Sequence, residues 1–306
     1  MCSLVRIARH AGLLVCALLV AGCADLRSEP TVDRDTFGVL VMAHGGSSGW
    51  NESVLSAVAA LRDRYTIEVA FGMADAASLQ ESVRKLEAQG IREIGVVRLF
   101  VSGESWYERT EQILGIEPGA PAHTAVEQPH EGHEGHSMAF WKVETRSSFA
   151  LSKEGLAEAP EMGDILADRV RALSREPGRE DVLILAHGPG DDAENERWIA
   201  QIAARAASIK KAGPFRRVEV QSLREDWPSK REAAEAGVRE FVKRAASENG
   251  TAIVVPFRVQ GFGPYAGVLE GLDYVSDGAG LLPHPNVTRW IERQIVLLRS
   301  EIERSG

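Results

Sequence analysis

The chain has 306 residues, 44% of them hydrophobic and 26% charged, with 6% aromatics and a mean hydropathy of −0.15. This is a globular composition with room for one large domain or two modest ones, and it excludes a polytopic membrane protein. A formal net charge of −9 argues against nucleic acid as a partner without a local basic patch.

The first element in chain order is an address. Arg6, Arg9 and His10 precede an apolar run from Ala11 to Ala21, too short for a comfortable transmembrane span. The run closes in Val20-Ala21-Gly22-Cys23, which resembles a bacterial lipobox, with Cys23 as the lipidated first residue of the mature protein. A plain signal peptide that happens to contain cysteine is the alternative. Ala24, not Asp, follows the cysteine, which in Gram-negative lipoproteins does not favour inner-membrane retention. The expectation is an exported protein, lipid-anchored on the periplasmic side of the envelope and at the outer membrane if the source is Gram-negative. Residues 1–22 are then the signal and 23–35 a polar tether. Losing two arginines and no acid takes the charge from −9 to −11, so acyl chains and not a basic patch must hold the membrane. Cys2, Cys16 and Cys23 are the only cysteines, leaving no disulfide framework or thiolate metal site downstream.

Two halves of similar design follow. Phe37 to Ala43 and Val182 to Ala186 are apolar runs, each closed by His-Gly (His44-Gly45-Gly46, His187-Gly188-Pro189) and then by an Asn-Glu pair that opens a helical pattern. Short apolar runs ended by glycine predict buried parallel strands. Val69 to Asp75 with Ser78 matches Val220 to Asp226 with Ser229, in both cases strand, acidic turn and helix. Ile94 to Val101 matches Ala252 to Val259, leading to Gly103-Glu104-Ser105 and Gly261-Phe262-Gly263. Leu156, Pro160 and Ile165 match Leu281, Pro285 and Trp290 before each half's last helix. The pattern predicts an α/β protein of two similar lobes, 36–178 and 179–306, each a parallel sheet flanked by helices, with a cleft between them. The spacing between copies shows that the first lobe carries about 33 extra residues between Gly103 and Pro160. A loop over about 117–146, with no helical or strand period, is expected there.

Histidines concentrate at informative places. His44 and His187 stand at repeat-equivalent strand ends, where ligands of open parallel sheets sit; the alternative is a structural hydrogen bond to a neighbouring loop. His284 precedes the last helix. Four histidines fall within 14 residues of the insertion, His123 and the triplet His130, His133 and His136. Glycines between the triplet members rule out a rigid helical zinc site. They suggest a flexible chelating tract for a borderline cation such as Co2+, Ni2+ or Zn2+, against an incidental low-complexity linker.

The doubled strand–His-Gly arrangement, over residues 36–306, resembles the class II tetrapyrrole chelatases, the sirohydrochlorin cobalto/ferrochelatase family. The resemblance implies two ferrochelatase-like lobes and insertion of a divalent metal, Co2+ or Fe2+, into sirohydrochlorin or a related tetrapyrrole, with no organic cofactor. The family's second metal-handling histidine, in a Gly-x-His element, is missing from both lobes. Glu104 is the candidate replacement, as carboxylate ligand or proton acceptor beside His44, with His187 facing from the other lobe; a solvated loop acid is its alternative. Arg98, Arg224 and Arg258, near strand ends, are the expected partners of the macrocycle's carboxylates. Oligomeric state is undetermined by the sequence.

Two other readings compete. Gly45 to Gly49 fits G-x-S-x-G between strand and helix, the context of a hydrolase nucleophile elbow, but the second copy has no serine. A histidine phosphatase would want Arg before His-Gly, where Ala43 and Ala186 stand. The stronger rival is a non-catalytic envelope lipoprotein that binds metal or a tetrapyrrole on a chelatase scaffold. For the anchor, Cys23→Ala is expected to give a soluble or unprocessed form; unchanged processing and detergent partitioning would refute it.

Overall fold

The computed structural model describes residues 36–123 and 138–305, in which strands and helices alternate through two parallel sheets. The first half runs β1 (Phe37–Ala43), α1 (Ser48–Ala59), β2 (Thr66–Phe71), α2 (Ala76–Ala88), β3 (Glu93–Leu99), α3 (Tyr107–Leu114), β4 (Ser148–Leu151) and α4 (Glu161–Leu173). The second runs β5 (Glu180–Ala186), α5 (Asp192–Ala206), β6 (Arg217–Ser222), α6 (Pro228–Ser247), β7 (Thr251–Phe257), α7 (Tyr265–Val268) and α8 (Pro285–Ser305). Sheet order is β2-β1-β3-β4 in one lobe and β6-β5-β7 in the other. The predicted α/β class with two parallel sheets is therefore what the chain adopts.

Both central strands are buried at every position, as a strand covered on two faces must be. Register then places the functional loops. Ala43 aligns with Phe71 and Leu99, and Ala186 with Ser222 and Phe257, so the chain leaves three neighbouring strands of each sheet at one common edge. His44 and His187 are the first residues past that edge.

Alternate residues of the strands feed different cores. Val39, Val41 and Ala43 of β1 and Val182, Ile184 and Ala186 of β5 share one large core with α1, α4, α5 and α8. Leu40 and Met42 pack with α2 on the outer face of the first sheet, and Leu183 and Leu185 with α6 on the outer face of the second. One hydrophobic core thus joins the two lobes.

The closing helices cross between lobes. Helix α8 packs on β3, β4 and α1 of the first sheet, whereas α4 packs on α5, the following 3-10 turn and β7 of the second. Residue 178 divides the strands of the two sheets, but not the helices that cover them. Close approach depends on Gly95 in β3, where a Cβ would lie 3.2 Å from the Leu298 Cβ and 2.9 Å from the Phe37 ring. Polar ties secure the crossing. Trp290 Nε1 donates to Glu154 at 2.8 Å, Arg293 bridges Glu154 and Glu161, and Thr288 donates to the Ala57 carbonyl at 2.8 Å.

The insertion departs from the expected single loop over 117–146. Neither α3 nor β4, which flank it, was foreseen, and its return segment is pinned. Ala139 and Val143 are buried, and Gln80 on α2 exchanges a pair of hydrogen bonds with the Glu144 backbone at 2.7 and 2.9 Å, as a strand partner would. Glu87 accepts from Thr145, Arg146 and Ser147. A short polar segment without period can still be fixed by side chains of distant elements, which no local pattern reveals. His130, His133 and His136, like Cys23, lie outside the described residues. Among the described residues no helix is long and apolar enough to cross a membrane.

Trp290 is fully buried at the lobe crossing. Trp290→Ala should destabilise the fold by about 3–5 kcal/mol, the usual cost of deleting a large core aromatic, read as a lowered denaturant midpoint.

Candidate functional site

The two histidines are held by one device used twice. Gly45 and Gly188 sit at φ +82° and +79°, in the left-handed region that a side chain disfavours. At Gly188 a Cβ would also meet the Ser222 Cβ at 2.6 Å. The turn brings each glycine's carbonyl back onto the ring before it, with Nδ1 of His44 2.8 Å from Gly45 O and Nδ1 of His187 2.8 Å from Gly188 O. A carbonyl only accepts, so in this arrangement Nδ1 carries the proton and the bond fixes the orientation of the ring. Downstream, Asn51 accepts from the Gly46 N–H at 3.0 Å, and Asn195 accepts from the Ser222 hydroxyl at 2.6 Å. The asparagine of the Asn-Glu landmark thus ties down the His44 loop in the first lobe and the end of β6 in the second.

Past Nδ1 the copies diverge. Nε2 of His187 lies 3.0 Å from the Asp226 carboxylate. An acceptor therefore stands within reach of each nitrogen of this imidazole. The repeat-equivalent Asp75 is used otherwise: it is buried, caps α2 through the Ser78 N–H at 2.8 Å, and accepts from the Ala139 N–H at 2.9 Å. The return of the insertion has claimed the acid that the second lobe offers to its histidine.

Residues 224–227 enclose the His187 loop. Arg224 N–H donates to the His187 carbonyl at 2.7 Å, and the Arg224 guanidinium binds the carbonyls of Pro189 and Gly190. Asp226 takes Nε2, and the Trp227 ring stands 6.0 Å from the imidazole at 88°. His44 has its own tryptophan, Trp50, at 6.4 Å and 56°, which rests edge-on against Phe71. Asp226, Trp50 and Trp227 were not anticipated. The acidic turn at Asp226 was visible in the repeat, but nothing local said which way its side chain would point.

Several expected roles are corrected. Glu104 is not an open base beside His44. Its carboxylate is gripped across the lobes by Arg197 of α5, Oε1 to Nε at 2.8 Å and Oε2 to Nη2 at 2.6 Å, and these hydrogen bonds hold its carboxyl below the usual carboxylate range. Arg98 is no rim cation either, being 1% exposed and tied to the carbonyls of Gly103, Ser105 and Ser152. Its guanidinium lies 4.8 Å over the Tyr107 ring, and burial pulls its pKa down to about 10, still charged at neutral pH. Arg224 is spent on the His187 loop, and Arg258 pairs with the largely buried Glu225 while lying over the Tyr265 ring. In each case a strand-end arginine satisfies turn carbonyls or a buried acid that would otherwise be left unpaired.

Other candidates resolve into structure. Ser47 caps α1 by accepting from the Trp50 N–H at 3.3 Å, an ordinary helix start and not a nucleophile elbow. His123 stacks on Trp141 at 4.4 Å. His284 Nδ1 accepts from the Asn286 N–H at 3.1 Å at the start of α8, with Nε2 3.5 Å from Asp168. Among the described residues no three His, Cys, Asp or Glu side chains converge as a metal cage. A metal at either histidine would keep positions for water or for a ligand's own donor atoms. The small concavities near Arg62 and Tyr65 and near Arg175 and Arg179 lie at the opposite ends of the strands.

No family model and no curated protein matches the chain. Solved structures do. Sirohydrochlorin chelatase SirB from Bacillus subtilis subspecies spizizenii, in complex with cobalt, superposes with TM-score 0.56 at 11% identity over 85% of this chain and 94% of that one. SirB from Bacillus subtilis with Fe3+ gives 0.55 at 12% identity, with the same coverage of 85% and 94%. DR2241 from Deinococcus radiodurans, a multi-domain protein with structural similarity to chelatases and two additional novel domains, gives 0.52 at 20% identity over 85% of this chain. The match spans 55% of DR2241, about half its length. At these identities the likeness establishes the fold, a chelatase-like scaffold.

The His284 cap makes a pH prediction. Burial holds this imidazole's pKa below its ordinary value, so the unfolded chain takes up the proton first and stability falls as pH drops below about 6.5. Protonation also removes the acceptor for Asn286. His284→Asn, which keeps a capping acceptor, should flatten that part of the stability profile in denaturation curves taken across the range.

Proposed function

We propose that this chain inserts a divalent transition metal, Co2+ or Fe2+, into sirohydrochlorin or a related tetrapyrrole. The observation that carries the reading is His44 at the end of the central strand of a chelatase-like sheet, with its ring oriented by the hydrogen bond from Nδ1 to the Gly45 carbonyl. Support comes from the fold shared with a sirohydrochlorin chelatase solved with cobalt and with Fe3+. The metal enters as substrate.

Metallation demands two things of the protein. The ion must be presented to the macrocycle after shedding water, which suits a neutral imidazole with an oriented ring. Two pyrrole N–H protons must leave, which needs an exchangeable base close by. We assign presentation of the metal to His44. Proton exchange falls to the His187–Asp226 pair, whose carboxylate is 70% exposed and can pass a proton to solvent. Glu104 takes neither part while Arg197 holds it. The reading extends to an envelope protein anchored through Cys23, with His130, His133 and His136 as a tract that gathers metal.

His44→Ala should lower the metallation rate by roughly two orders of magnitude, the scale of losing a positioned catalytic group, while tetrapyrrole affinity changes little. The assay follows the absorption spectrum of sirohydrochlorin with Co2+ and purified protein. Wild-type protein that binds the macrocycle but never metallates it faster than buffer would leave a binding protein in place of the enzyme.

A further inference from the structure

We infer that Arg224 is a positioning residue for the His187–Asp226 pair, an inference that deepens the chelatase reading and rests on it for the reaction affected. The loop after His187 runs Gly188-Pro189-Gly190. Two glycines leave this segment few side-chain contacts with which to hold the imidazole in place, and Gly188 is already at φ +79°. The Arg224 guanidinium holds the segment from the neighbouring strand end. It donates to the Pro189 and Gly190 carbonyls and, at 2.8 Å, to Asp192 in the first turn of α5. The Arg224 backbone N–H reaches the His187 carbonyl at 2.7 Å, so one residue bonds His187, Pro189, Gly190 and Asp192.

Arg224 sits at φ +56°, in the left-handed region, where glycine would serve the turn without strain. A side chain is nevertheless present there, 10% exposed, and its hydrogen bonds all go to the segment that follows His187. The same residue opens a turn closed by the Trp227 N–H on the Arg224 carbonyl at 3.0 Å, with Asp226 in third place. Gly190 lies under the Trp227 ring, where a Cβ would come 2.2 Å from Nε1. Both ends of the turn are thus fixed to the histidine loop. Asp226 itself is 70% exposed, so its carboxylate stands 3.0 Å from His187 Nε2 because of where the turn is held and not because of burial.

The first lobe is the internal comparison. Residues 69–75 align with 220–226, which puts Met73 opposite Arg224 and Asp75 opposite Asp226. Met73 has no donor to offer the carbonyls of a histidine loop. The left-handed residue there falls one position later, on Ala74 at φ +51°, and Asp75 accepts from the Ser78 and Ala139 N–H groups. Acid and histidine are paired in the lobe where an arginine clamps the two turns together. Where methionine stands instead, the acid serves other partners.

The test uses the full-length protein with two substitutions. Arg224→Gly removes the guanidinium and the backbone strain together, and Arg224→Lys keeps the charge but not the planar fork that spans two carbonyls. Where thermal melts show that the glycine variant does not fold, the lysine variant takes its place in every arm. With 15N-labelled histidine, Asp226→Asn should move the His187 ring-nitrogen resonances in the wild type and move them little in Arg224→Gly. Equal movement in both backgrounds overturns the inference, whatever the protein catalyses. In Co2+ insertion into sirohydrochlorin, both Arg224 variants should lower kcat by roughly ten- to a hundredfold with KM for metal and macrocycle nearly unchanged. With Asp226→Asn already present, Arg224→Gly should lower kcat little further. A wild-type rate in the lysine variant, or losses that simply multiply, overturn the inference and leave the chelatase reading standing. A wild type that never metallates faster than buffer overturns the chelatase reading, and the resonances alone then decide whether Arg224 places the pair.

Discussion

A hydrogen bond from an imidazole Nδ1–H to the carbonyl of the next residue is the constraint around which both ends of the site are built. It forms because the following glycine adopts φ near +80°, turning its carbonyl back over the ring. The bond sets the tautomer, aims Nε2 away from the strand, and frees the chain to start a helix within four or five residues. Everything placed near Nε2, whether carboxylate, tryptophan or ligand, is placed relative to that fixed ring.

The two halves show what repetition preserves and what it releases. Backbone features persist: the central strand, its parallel neighbours and the positive-φ glycine. Side-chain allegiances do not. Asp226 serves His187, while its counterpart Asp75 serves the returning insertion and the start of α2. Arg98 satisfies carbonyls of its own loop, while Arg258 reaches across to Glu225. The equivalent acids of the two lobes therefore serve different partners, one a histidine and the other a helix start and the returning insertion.

Coupling between the lobes follows from the exchanged helices. The buried face of α8 seals the first sheet although it is made last, and α4 seals the second although it is made before that sheet exists. The Glu104–Arg197 ion pair and the Arg293 bridge add polar ties over this shared core. The separation between the histidine loops is thus tied to core packing and not left to a hinge.

Periodicity and punctuation were enough to recover the duplicated strands, though not β4, with their parallel character, their order and the histidines at strand ends, because each is encoded in residues adjacent along the chain. An apolar run closed by His-Gly can hardly be anything but a buried strand and its exit turn. The insertion's position followed from the changing spacing between copies. What adjacency could not encode was partnership. Arg98, Arg224 and Arg258 read as free cations, and Glu104 as a free acid, because their partners lie on other strands, on backbone carbonyls, or on a helix of the opposite lobe. The same holds for the pinned segment 138–147, whose anchors Gln80 and Glu87 sit on α2. Sequence determined where the chain would turn and which residues would stand at the turn. Tertiary structure alone decided which charges were already spent, since a buried polar group takes whatever partner the fold brings within reach.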